Sequence, residues 1–224
     1  MMANRREPGT TYADTVYDLL LKQFMAGARE ASQALNIPSI AREFDVSQTP
    51  VREALARLEH TGLVIREPLK GYRVAPLFSE QELVKLMEAR MIIEPAVTLE
   101  AARRVTPEFL AELQLTIDDL AAAAQSESFS EHWRSDDAFH GLISLHSANP
   151  FLDSAYRAIG GQVRRFRLLA KASSKTAAIT VIEHGHILEA LEARDADRAA
   201  EAMRAHIEGA ATRALADRKS ISSK

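Results

Sequence analysis

No cysteine occurs anywhere in the 224 residues, so neither a disulfide framework nor a thiolate metal site is available, and nothing calls for an oxidising compartment. No apolar run approaches the roughly 20 residues that span a bilayer. The opening Met1-Met2-Ala3-Asn4-Arg5-Arg6 leads into no apolar segment of the kind that directs secretion. These absences predict a soluble, cytoplasmic protein with no membrane partner. A large excess of one charge is lacking too: the formal net charge is -3. By region, residues 1–76 carry 10 basic and 9 acidic side chains, against 18 and 22 in the remainder. That small asymmetry permits contact with nucleic acid through local placement of Arg and Lys, without predicting strong nonspecific affinity.

What is present is periodicity. In Val46-Ser47-Gln48-Thr49-Pro50-Val51-Arg52-Glu53-Ala54-Leu55-Ala56-Arg57-Leu58-Glu59, residues Val51, Ala54, Leu55 and Leu58 fall at i, i+3, i+4 and i+7, a stripe for burial on a helix. The opposite side offers Gln48, Thr49, Arg52 and Ala56, groups able to approach phosphates and base edges in a DNA groove. In isolation the better reading is an ordinary amphipathic helix with a solvated polar face, but its surroundings supply the rest of a helix-turn-helix. Ile37, Ile40, Ala41 and Phe44 repeat the same spacing, and Asp45 stands where the turn calls for a left-handed residue. The second helix starts either with Ser47 as cap or with Thr49 as cap and Pro50 in the first turn. After Gly62, Leu63–Arg66 and Tyr72–Ala75 read as two strands of a wing around Glu67-Pro68-Leu69-Lys70-Gly71.

A helix over residues 12–26, ended by Gly27, is expected to pack beneath this motif. Ser79 with Glu82 is a capping-box signature that opens a second region. From there the pattern is helical throughout, over about 80–104, 107–125, 129–147, 150–172, 176–193 and 195–216. The expected fold class is mainly α: an N-terminal winged helix-turn-helix (1–76), a C-terminal all-α antiparallel bundle (77–217) and a polar tail (218–224).

Within the bundle, Asp136 and His140 lie one turn apart on a single helix, while His184 falls in mid-helix and His206 sits inside an apolar pattern. Three imidazoles and a carboxylate suit a divalent ion such as zinc, nickel or manganese. His132, His146 and His186 compete for the role, and spacing does not rank them. Arg90 occupies a largely apolar face, where an unpaired cation is costly. Its partner is either Glu94 at i+4 or a small carboxylate ligand held by the guanidinium fork.

In order along the chain, Ser47-Gln48-Thr49-Pro50-Val51-Arg52-Glu53-Ala54-Leu55, Leu58-Glu59, Gly62-Leu63-Val64 and Lys70-Gly71 resemble the winged helix of GntR-type bacterial transcription regulators. Arg90 with Glu94, Asp136-Asp137-Ala138-Phe139-His140, Ser147-Ala148-Asn149-Pro150, Glu183-His184 and Met203-Arg204-Ala205-His206 resemble the FCD effector domain of that family's FadR branch. The resemblance spans about residues 12–212 and implies that Asp136, His140, His184 and His206 are the metal ligands. It places Arg90, with Asn149, toward a bound organic acid and puts Thr49 and Arg52 at DNA-contacting positions, beside Ser47 and Gly71 of the matching motifs. Two departures stand out, Gln48 where the family usually has arginine and Pro38 where some members have one. Both remove a guanidinium from the DNA side, which shifts the operator sequence or moves phosphate contacts to Arg42, Arg57, Lys70 and Arg73.

The expected function is that of a ligand-responsive regulator, most often a repressor in such families, binding a palindromic DNA operator as a homodimer and responding to a small carboxylate metabolite. Two other readings stay open: a metal-dependent helical-bundle enzyme, and a regulator whose metal is purely structural. No group in the motif set stands ready as a general base, and an enzyme has no need of a winged helix.

Overall fold

The computed structural model describes residues 11–25, 28–126, 129–169 and 174–222, and the chain forms two compact units, residues 1–77 and 78–224. The expected helix stop at Gly27 lies outside the described residues.

In the first unit, α1 (Tyr12–Met25) packs on α3 (Gln48–His60), and α2 (Ile37–Glu43) also lies against α3. Asn36 starts α2, its side chain accepting a hydrogen bond from the Ser39 N–H at 3.0 Å. Asp45 takes up φ +53° between α2 and α3, the left-handed turn its side chain tolerates. Ser47 holds the N-cap position of α3 without a side-chain cap bond. Val51, Ala54, Leu55 and Leu58 are all fully buried, so the stripe read from the sequence is the face that anchors α3. Gly62, at φ +72°, turns the chain into β2 (Val64–Glu67), which pairs antiparallel with β3 (Gly71–Val74).

Each wing strand is displaced by one residue from its expected bounds, because the tip closes tightly through left-handed Leu69 (φ +64°) and Gly71 (φ +88°). A further strand, β1 (Ala34–Leu35), pairs with the outer edge of β3 to make a sheet of order β1-β3-β2. Two residues carry no periodicity, so β1 has no local signal; it exists only through its register with Tyr72 and Arg73.

Among the described residues the second unit has six helices: α4 (Glu80–Ala102), α5 (Pro107–Gln125), α6 (Phe129–His146), α7 (Pro150–Leu169), α8 (Ser174–Glu192) and α9 (Ala196–Ser222). The Ser79–Glu82 capping box is formed reciprocally at the start of α4, and Thr106 and Asn149 cap α5 and α7 through their side-chain oxygens. α9 packs on α4 and α8, α5 on α6 and α8, and α4 on α6 and α7. The core between them includes Phe109, Leu113, Phe139, Ile187, Leu191 and Met203. α9 runs on to Ser222 through most of the segment read as a polar tail; no Gly or Pro stops it after Arg213. No helix among the described residues is long and apolar enough to cross a membrane.

Candidate DNA-reading face and metal centre

On α3, Gln48, Thr49 and Arg52 are exposed on the side away from the buried stripe. Arg52 Nη2 stands 3.4 Å from Gln48 Oε1, so amide and guanidinium are adjacent on one reading edge. Ser47 at the helix start, Arg42 at the end of α2 and Lys70 at the wing tip are also exposed, and Lys70 Nζ lies 3.7 Å from Glu67 Oε2. Arg57 is placed differently. Its Nη1 donates to Asp14 Oδ1 at 2.6 Å and its guanidinium lies over the Tyr17 ring, 4.5 Å from the centroid. Arg57 therefore ties α3 to α1 while its side chain stays about half exposed.

In the second unit, α6 contributes Asp136 and His140, α8 His184, and α9 His206. All four are buried, and one ligand atom from each lies within 4.8 Å of all the others. Donors sharing an ion at roughly 2.0–2.2 Å stand no more than about 4.4 Å apart, so a shift of a few tenths of an ångström closes the set. The three imidazoles face one another with centroids 4.8 to 5.2 Å apart. His184 is completely buried and stacks on Phe139 at 3.9 Å. Its Nε2 stands 3.4 Å from Asp136 Oδ1, yet neither ring nitrogen completes a hydrogen bond. Burial pushes this imidazole down to about 3, against the pull of Asp136, so it is neutral with lone-pair capacity unused. An unsatisfied buried ring beside a carboxylate and two further imidazoles fits a divalent ion.

Each of the other two histidines is oriented by a carboxylate. His140 Nδ1 lies 2.7 Å from Glu94 Oε2, and Glu94 is gripped in turn by Arg90, with Nε to Oε1 at 2.5 Å and Nη2 to Oε2 at 3.3 Å. Burial alone would raise the Glu94 carboxyl; the charge of Arg90, then the charge and hydrogen bond of His140, hold it well below the usual range. His206 Nδ1 lies 2.8 Å from Glu183 Oε2, and Arg213 forks onto both oxygens of Glu183 at 2.7 and 2.8 Å. Against burial, which would raise it, the bonds from His206 and Arg213 bring Glu183 down to about 2. With Nδ1 of His206 on Glu183, its Nε2 is the nitrogen that would meet an ion.

The rival histidines have other places. His146 stacks on Phe109 at 4.0 Å with its Nδ1 3.0 Å from the Leu142 carbonyl, His186 is exposed, and His132, half-buried, is not part of the cluster. Asn149 starts α7, its Oδ1 accepting from the Phe151 and Leu152 N–H groups at 3.1 and 3.3 Å. Glu183 and Arg213 had no expected role. A signal existed, since His206, Gly209 and Arg213 follow i, i+3, i+7 with a small residue making room between two functional ones.

Residues 12–74 match the model of the gntR family of bacterial regulatory proteins, and residues 85–209 match the FCD domain. The chain belongs to the GntR family, with an FCD domain. Among its GntR relatives, the transcriptional repressor RspR of Escherichia coli K12 is 24% identical over 193 residues, 86% of this chain and 84% of the relative. The Nta operon transcriptional regulator of Aminobacter aminovorans is 29% identical over 178 residues, 79% of this chain and 81% of its own. The solved structure of E. coli McbR/YncC shares the fold, with a TM-score of 0.68 at 21% identity over 89% of this chain and 95% of that one. These GntR relatives are transcriptional regulators and not enzymes, and this chain is a DNA-binding transcriptional regulator.

Proposed function

We propose that this GntR/FCD regulator is a repressor that binds a short palindromic operator as a homodimer and leaves it when a small organic acid enters the metal-holding bundle. Residues 1–76 form the DNA-binding part and 77–217 the effector and dimerisation part. Support for repression comes from relatives such as RspR and GlaR of E. coli, each a transcriptional repressor. On the DNA side, Gln48, Thr49 and Arg52 read base edges, while Ser47, Arg42, Lys70 and the Gly71 backbone at the wing tip meet phosphates.

The observation that carries the effector half is the fully buried His184, its two ring nitrogens without hydrogen bonds in the midst of Asp136, His140 and His206. These four residues would hold zinc, nickel or manganese; the ion, when bound, supplies a Lewis-acidic anchor for a carboxylate. Glu94 and Glu183 fix the ring orientation of His140 and His206. Arg90 uses Nε and Nη2 on Glu94, while among the described residues the hydrogen-bond partner of its Nη1 is the Met87 sulfur at 3.9 Å, so one face of the fork stays available to an acid. Binding of the acid in only one of two arrangements of the protein then shifts the operator equilibrium.

Elemental analysis and thermal shift test this directly. The purified chain is expected to carry close to one divalent ion per protomer, to melt several degrees lower after chelation, and to lose the ion in His184→Ala and His206→Ala while keeping it in His132→Ala, His146→Ala and His186→Ala. The reverse pattern among the histidines overturns the ligand set.

A further inference from the structure

We infer that the indole N–H of Trp133 is a hydrogen-bond donor for the effector, reading an oxygen other than the carboxylate that meets the metal; the inference rests on the metal-and-acid reading above. Trp133 is 7% exposed, and its buried Nε1 has no hydrogen-bond partner among the described residues. An indole in a core is ordinarily placed so that its one polar atom finds a partner, because a buried donor left unmade is costly. Trp133 shares one buried face of α6 with two residues of the cluster. Trp133, Asp136 and His140 stand at i, i+3 and i+7 on α6, all three buried, and Cβ atoms three residues apart on a helix are about 5–6 Å from one another.

The chemistry of the group narrows what it can meet. An indole donates and does not accept, so it favours a carbonyl, hydroxyl or carboxylate oxygen and rejects a cation or a second donor. Arg90, whose Nη1 has as its hydrogen-bond partner among the described residues the Met87 sulfur at 3.9 Å, is a second underused donor, tied to the cluster through Glu94 and His140. Two such N–H groups, on α6 and α4, in addition to an ion that consumes one carboxylate, call for a ligand with more than one oxygen function. A 2-hydroxy, 2-oxo or dicarboxylic acid meets that demand and a simple fatty acid does not. Trp133 is accordingly a specificity-determining residue, selecting among acids that the metal alone accepts alike.

Trp133 is the single tryptophan of the chain, so the nitrogen-15-labelled, zinc-loaded protein has one indole cross-peak. It is titrated with propionate, lactate, pyruvate, malonate, succinate and malate. At least one of the five bifunctional acids is expected to bind tenfold or more tighter than propionate and to move the indole proton downfield. Trp133→Phe is expected to reduce that acid to the affinity of propionate, with zinc content read alongside as the check on folding. If the preferred acid leaves the indole resonance of the unsubstituted protein unmoved, or binds Trp133→Phe equally well, the donor serves a buried water and the inference is overturned while the metal-and-acid reading stands. If zinc-loaded protein binds none of the six acids, both are overturned.

Discussion

Arg52 and Arg57 sit five residues apart on one helix, and their surroundings give them opposite work. Arg57 is paired with Asp14 and lies over the Tyr17 ring, whereas Arg52, whose hydrogen-bond partner among the described residues is the Gln48 amide, keeps its charge for an outside partner. A recognition-helix arginine paired with a base or phosphate contributes about 1–3 kcal/mol. Arg52→Ala is therefore expected to weaken specific operator binding about 5- to 150-fold in a mobility-shift titration at fixed salt, and Arg57→Ala to act chiefly on the stability of the first unit. Equal operator affinity for Arg52→Ala and the unsubstituted chain would show that another face reads the DNA. At this scale the sequence was informative about type and silent about partner. The burial of His206 followed from the apolar residues around it, but that Glu183 orients His206 depends on the approach of α8 to α9, which no spacing within either helix encodes.

At the scale of elements, the starts of the long helices were legible to within two residues because caps and breakers are local: Ser79 with Glu82, Thr106 with Pro107, and Asn149 with Pro150 each mark a start the structure keeps. β1 was illegible because its only stabilisation is non-local. The glycines of the bundle separate local from tertiary demands in the same way. Gly160, on α7, has open space where a Cβ would go, so Gly160→Ala is expected to stabilise the second unit by up to about 1 kcal/mol through helix propensity alone. A Cβ on Gly209 of α9 would lie 2.8 Å from Glu183 Oε1 and 2.9 Å from Arg213 Nη1. Both are ends of flexible side chains, so the backbone stays and the fork moves, and His206 loses its orienting carboxylate. Gly209→Ala is thus expected to cost about tenfold in zinc affinity, measured by competition with a chromogenic chelator, while Gly160→Ala leaves that affinity alone. Unchanged zinc affinity in Gly209→Ala would show that Glu183 does not tune the site.

For the whole molecule, the reading face belongs to one compact unit and the histidine cluster to the other, each with its own buried core, so DNA affinity and ligand response are separable in principle and joined only by linkage. Arg90 is the place to test that separation, with a substitution chosen by charge. Arg90→Ala would leave Glu94 buried without its counter-ion, a loss of about 3–5 kcal/mol that confuses response with unfolding. Arg90→Lys keeps a cation next to Glu94 and removes the planar fork that can hold Glu94 and an acid together. Fluorescence anisotropy with labelled operator is expected to give Arg90→Lys the same Kd as the unsubstituted chain within about twofold. Release of that operator is expected to need at least tenfold more of whichever acid dissociates the unsubstituted complex, a coupling loss of about 1.4 kcal/mol. If release occurs at the same acid concentration, Arg90 serves only to hold Glu94 against His140, and the anion is gripped by the metal and Trp133 without it.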